Sequence, residues 1–155
     1  MNDNVVIVSA CLVGENCRYN AEIKKNQALL DKLQCSGLEF VPVCPEVLGG
    51  LSTPRPAAEI HGGDGYNVLR GAHVLTIEGS SDVTEKILSG AKKTLAIAKD
   101  NGANLAVLKE RSPSCATHSI YKDGKIVPGV GVTTALLMEN QIIVISDEDF
   151  IISED

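Results

Sequence analysis

The stretch that decides the fold is Phe40–Gly50, FVPVCPEVLGG. An apolar run over Phe40–Val43 ends at Cys44, and Pro45 bars the strand from continuing inside a sheet. Glu46 follows, and the Gly49–Gly50 pair lets the backbone turn. A thiol and a carboxylate thus stand two residues apart where a buried strand opens into a loop. The same arrangement recurs on either side. Val5–Val8, a short β-branched run, leads into Ser9-Ala10-Cys11, and Leu105–Leu108 leads through Lys109-Glu110-Arg111 into Ser112-Pro113-Ser114-Cys115. Three strand-like segments each deliver a cysteine just past their carboxyl ends.

Between the first two strands, Ala21–Gln34 reads as a helix with Ile23, Leu29, Leu30 and Leu33 on its apolar face, stopped by Ser36-Gly37. This is a strand–helix–strand unit, the building block of parallel sheets. Leu51–Gly65 is irregular, and its length of about 15 residues marks a functional loop. Tyr66–Gly79 holds one or two short strands, with Val74–Ile77 the better candidate. Asp82-Val83-Thr84-Glu85 has the form of a capping box, with Asp82 in the cap position of a long helix from Val83 to about Asn101. A hairpin over Ile120–Val127 turns at Asp123-Gly124. A helix over Thr134–Asn140, a strand over Ile142–Ile145 and a last turn in Asp147–Asp155 close the chain. The expected fold is one compact α/β domain over residues 1–155. A mostly parallel sheet is flanked by helices in a Rossmann-like, three-layer arrangement, with the site at the carboxyl ends of the strands.

The composition narrows the function. The 155 residues carry 14 basic and 20 acidic side chains, a net charge of −6, which disfavours general nucleic-acid or anionic-membrane binding. No stretch approaches the ~20 apolar residues of a membrane span. The amino terminus enters a strand without a basic leader, so a cytoplasmic location is expected. Five cysteines, an odd number, argue against a disulfide framework and for thiols used in metal binding or catalysis, or simply buried.

In open parallel sheets ligands bind beyond the carboxyl ends of the strands. Cys11, Cys44 and Cys115 all project there. Thiolates favour zinc, copper(I) or iron–sulfur clusters. Three of them on a cubane leave one iron open as a Lewis acid. The competing reading is that each is a small buried hydrophobe. Cys17 is a fourth candidate, as ligand, resolving thiol or bystander; Cys35, at a helix end, reads as a packing residue. Glu46 is the best general base, with a solvated loop acid as the alternative. Ser112 and Ser114 can donate hydrogen bonds to a substrate or a cluster sulfide, or serve as turn residues. Arg18, Arg55 and Lys109 can hold an anionic or carbonyl group. His61, His73 and His118 share no ligand spacing. Gly129-Val130-Gly131, ahead of a helix, can offer backbone donors to an anion, but lacks a P-loop lysine.

Four blocks, SACLVGENCRYN (Ser9–Asn20), VCPEVLGGLSTPRPAAEI (Val43–Ile60), LKERSPSC (Leu108–Cys115) and PGVGVTTALL (Pro128–Leu137), resemble the 2-thiouracil desulfidase family. The resemblance spans nearly the whole chain. It implies a compact α/β domain with a 4Fe–4S cluster on three cysteines and a fourth iron that takes the sulfur of a thiolated pyrimidine. Carried over by position, Cys11, Cys44 and Cys115 are the ligands, Glu46 the acid–base residue and Ser112 the assisting serine. The chain departs from the family pattern at Asn20-Ala21, where Asp-Gly is usual, and at Ala116, where glycine is usual. The expected function is removal of sulfur from a small thiolated base, 2-thiouracil to uracil with release of sulfide. Two other classes stand beside it: a non-catalytic metal- or redox-sensing thiol protein, and a zinc-stabilised binding module.

Overall fold

The structure, a computed structural model, describes residues 4–21 and 25–153. Its centre is a four-stranded, wholly parallel sheet of β1 (Val5–Ser9), β2 (Glu39–Val43), β5 (Leu105–Leu108) and β8 (Ile143–Ser146), in the order β2-β1-β5-β8. Every residue of β1 is buried, as a β-branched central strand covered on both faces must be. From β1 the chain passes first to β2 on one side and later to β5 on the other. The connections diverge there and leave a crevice at the strands' carboxyl ends.

Helices cover both faces. On one, α1 (Gln27–Cys35) and α6 (Asp147–Ile152) pack Leu29, Leu33 and Phe150 against Val6, Val8 and Val107. On the other lie α2 (Pro45–Leu48), α4 (Thr84–Asp100) and α5 (Val132–Glu139), where Ala98 and Leu137 meet Ile7, Ala106 and Leu108. The core is aliphatic apart from Phe150, and the three expected layers are present. A smaller unit sits beside α4 and α5: β3 (Ala58–His61) paired antiparallel with β4 (His73–Thr76), the single-turn helix α3 (Gly65–Val68), and the hairpin of β6 (Ser119–Lys122) and β7 (Lys125–Pro128). Asp123 and Gly124 both have positive φ, 52° and 76°, the turn that matches the twist of the strands. Among the described residues no helix is long and apolar enough to cross a membrane.

Several local expectations are corrected. The first helix begins at Gln27, not Ala21: Ala21 has φ 60°, and Asn26 caps the helix by accepting from the Leu29 N–H at 3.1 Å. Ile23, expected on its face, lies outside the described residues. The loop after Cys44 is a helical turn with Pro45 in its first position, where a missing N–H costs nothing. The irregular stretch contains β3, and Tyr66 starts no strand but lies in α3. Asp82 does not cap α4. Val83 holds that position, while Asp82 accepts from the Thr84 N–H and hydroxyl at 2.9 and 2.5 Å. The reciprocal capping box belongs to Asp64 and Asn67.

Candidate active site

A cavity of about 460 Å³ opens at the carboxyl ends of β1, β2 and β5. Four of the five cysteines reach it, each for a local reason. Cys11 lies in a 3-10 turn, Ala10–Val13, that β1 runs into. Cys44 is the extended residue between β2 and α2. Cys17 is carried back by the polar loop after Gly14, whose φ of 97° reverses the chain. Cys115 stands at the end of the Ser112–Cys115 loop, where Ser112 Oγ accepts from the Ser114 and Cys115 N–H groups at 3.0 and 3.1 Å.

The thiols form an ordered set. Cys44 Sγ meets the Cys17 carbonyl at 3.7 Å, and the Cys17 thiol lies within hydrogen-bonding reach of Cys11 and Cys44. That contact lowers the Cys11 thiol below its usual value despite burial and the nearby Cys44, with Lys109 and Arg18 adding to the lowering. It also brings Cys44 down to about 7, against burial and with help from the Val47 N–H and Arg55. Cys17, as the donor, is pushed far up. Burial is the main cause that raises Cys115, while a hydrogen bond with Ser9 opposes it. Among the described residues no three His, Cys, Asp or Glu side chains close around one metal ion. The four sulfurs line one chamber.

Glu46, in the first turn of α2, is fixed by two partners. Arg55 Nε donates to Oε1 at 2.8 Å, and Ser112 Oγ donates to Oε2 at 3.3 Å. Arg55 is itself anchored, through Nη1 to the Ser52 carbonyl at 3.0 Å and the Thr53 hydroxyl at 3.3 Å, and through Nη2 to the Cys17 carbonyl at 2.9 Å. Its side chain is only 6% exposed. A planar guanidinium suits this fork of acceptors, and a lysine would not. One residue therefore joins the carboxylate to the loop that carries Cys17. The outer wall is partly apolar, from Tyr19, Ile77 and Tyr121. Glu59 holds that wall by accepting from the Asp123 and Gly124 N–H groups at 2.8 and 3.1 Å.

The family model described as 2-thiouracil desulfurase matches residues 6–149. The chain belongs to the 2-thiouracil desulfurase family. Among its relatives, the uncharacterized protein YbbK of Bacillus subtilis (strain 168) is 44% identical over 151 residues, 94% of this chain and 97% of YbbK. Among solved structures, the 4Fe–4S-dependent thiouracil desulfidase TudS matches with a TM-score of 0.80 and 40% identity, covering 96% of this chain and 93% of its own.

In this desulfurase-family chain, nearly all the residues expected at the site line the one cavity: Cys11, Cys17, Cys44, Cys115, Glu46, Ser112, Arg18, Arg55 and Lys109. Ser114 does not. It is fully buried behind the loop, with its carbonyl accepting from the Thr133 and Thr134 N–H groups at the start of α5. The glycines before α5 hold no anion either. The N–H groups of Gly131 and Val132 bond the carbonyls of Ala116 and Pro113, so that helix end clamps the cysteine loop. None of the three histidines lines the cavity. Cys35, expected to pack, is exposed. Glu110, which the sequence reading passed over, lines the cavity, as do Tyr19 and Tyr121. For Glu110 the available signal was its place two residues past a buried strand.

Proposed function

We propose that the protein removes sulfur from a thiolated pyrimidine of the 2-thiouracil type. C=S plus water becomes C=O plus hydrogen sulfide, with a 4Fe–4S cluster held by Cys11, Cys44 and Cys115. The observation that carries this reading is the meeting of four thiols, one oriented carboxylate and one serine hydroxyl in a single cavity. The donor set fits the group. Sulfur ligands select iron–sulfur, copper(I) or zinc centres, and Cys11, Cys44 and Cys115 line one cavity large enough to be shared. When bound, the cluster supplies a Lewis-acidic iron that polarises the thiocarbonyl.

The chain's own residues manage protons and position. Glu46, held at Oε1 by Arg55 and at Oε2 by Ser112, keeps free lone pairs on both oxygens to take a proton from the attacking water. That proton then passes to the departing sulfur. Ser112 keeps the carboxylate turned toward the loop of Cys115, and Lys109 and Arg18 place positive charge at the same cavity. A small neutral base fits a chain of net charge −6 better than a polyanion does. Anaerobic reconstitution followed by turnover with 2-thiouracil tests the reading. Uracil and sulfide should form in equal amounts, and Glu46→Gln should lower kcat by about 10²-fold or more with the cluster retained. A fully loaded protein that forms no uracil would reject the substrate.

A further inference from the structure

Glu110 is almost completely buried, at 4% exposure, yet among the described residues no cationic side chain lies within ion-pair distance of it. Its carboxylate is enclosed by backbone instead. Oε1 accepts from the N–H groups of Arg111, Thr117, His118 and Ser119, at 3.3, 3.1, 3.0 and 3.0 Å. Oε2 accepts from the Thr117 hydroxyl at 2.7 Å. The four amides come from both ends of one loop, and between those ends lie Ser112 and Cys115. Arg111 is held at φ 68°, a left-handed conformation that a non-glycine side chain adopts only when its surroundings impose it. The carbonyls of the same loop are taken from the other side: Pro113 by the Val132 N–H, Ser114 by the Thr133 N–H and Cys115 by the Thr134 hydroxyl. Helix α5 thus holds the loop's acceptors and Glu110 holds its donors.

We propose that Glu110 is a positioning residue for the reaction: one of its carboxylate oxygens is the template on which the loop folds to present Ser112 to Glu46 and Cys115 to the cavity. The assignment rests on Ser112 and Cys115 belonging to the reacting site. What matters is an acceptor at the place of Oε1. Four partly buried N–H groups would otherwise lose their shared partner, and a donor left unsatisfied away from water costs more than a normal bond contributes. The two oxygens are unequal, and that asymmetry makes the proposal testable. Glutamine keeps an oxygen for the four amides and turns its NH₂ to the Thr117 hydroxyl, which can rotate to accept. Aspartate keeps the charge but withdraws the oxygen by one methylene.

The experiment compares Glu110→Gln, Glu110→Asp and Glu110→Ala as reduced, metal-free, full-length proteins. Iodoacetamide labelling of Cys115 is followed by mass spectrometry, with the exposed Cys35 as internal reference. Cys115 in Glu110→Gln should label within about twofold of wild type, and in Glu110→Asp and Glu110→Ala about tenfold faster or more. Iron and acid-labile sulfide retained after anaerobic reconstitution should follow the same order. The contrast between glutamine and aspartate decides the matter even where the alanine variant fails to fold. Aspartate behaving like wild type while glutamine does not would mean that charge, not acceptor position, is what counts, and would overturn the proposal. Unchanged Cys115 protection in all three variants would overturn it equally. The labelling involves no turnover, so its outcome is independent of whether thiouracil is the substrate.

Discussion

Cys17 is a thiol that serves other thiols. Its one S–H can serve Cys11 or Cys44 and favours the ionised form of either, the form that ligates metal, while Cys17 remains protonated itself. In the metal-free protein, iodoacetamide labelling of Cys44 should therefore rise through about pH 7. Cys17→Ala removes the donor, destabilises the Cys44 thiolate and should move that midpoint upward; an unmoved midpoint would assign the lowering to Arg55 and the backbone. Arg55 makes the companion case among the charged residues. Its ion pair with Glu46 has side-chain exposures of 6% and 16%, so Arg55→Ala leaves a carboxylate largely buried without its partner. A loss of about 3–5 kcal/mol is expected for breaking such a pair. Arg70→Ala, at a pair exposed to 64% and 35%, should cost no more than about 1 kcal/mol. Urea unfolding of both variants in the metal-free state measures the contrast.

At the scale of elements, the position of Glu46 depends on how closely α2 lies against α4. A Cβ on Gly49 would stand 1.8 Å from the Lys86 carbonyl oxygen, and one on Gly90 would stand 1.8 Å from the Pro45 carbonyl oxygen. The two glycines allow the helices to touch backbone to backbone. Gly90→Ala, in a long helix where alanine is otherwise the better residue, should nonetheless destabilise by about 1–3 kcal/mol through overpacking, read from the urea midpoint. Because α2 carries Glu46 and begins at Cys44, cluster loading should fall with it. From sequence, Gly49-Gly50 reads as a turning pair, and that is half the truth. Gly50 has φ 99° and needs the freedom, whereas Gly49 has φ −78° and is a glycine only because α4 is there. The first of these needs is local and legible; the second depends on a partner some forty residues away and leaves no local mark.

The same division holds across the whole molecule. The alternation of β-branched runs with helical stripes carried the parallel sheet and its layers, and the cysteines placed past strand ends carried the cavity. Neither the Arg55–Glu46 pair nor the Glu110 template was legible, since both join residues whose neighbourhood exists only after folding. One global property follows from Glu110. Burial works against its ionised form, but hydrogen bonds from the His118, Ser119 and Arg111 N–H groups and the Thr117 side chain outweigh it, so the carboxyl lies below the usual 4.5 in the folded state. A depressed folded value contributes stability that is complete above the unfolded value and is lost as pH falls through the folded one. Stability of the metal-free protein should thus decline below about pH 4.5, and less steeply in Glu110→Gln than in wild type. Urea midpoints taken across that range give the slope.

The most direct test of the whole account is iron and acid-labile sulfide analysis after anaerobic reconstitution of the wild type and four single cysteine variants. Wild type and Cys35→Ser should retain about four irons and four sulfides per chain, as a 4Fe–4S centre requires. Cys11→Ser, Cys44→Ser and Cys115→Ser should each lose the cluster. Full loading in any of those three, or zinc in place of iron and sulfide in the wild type, would contradict a shared iron–sulfur centre at the carboxyl ends of β1, β2 and β5.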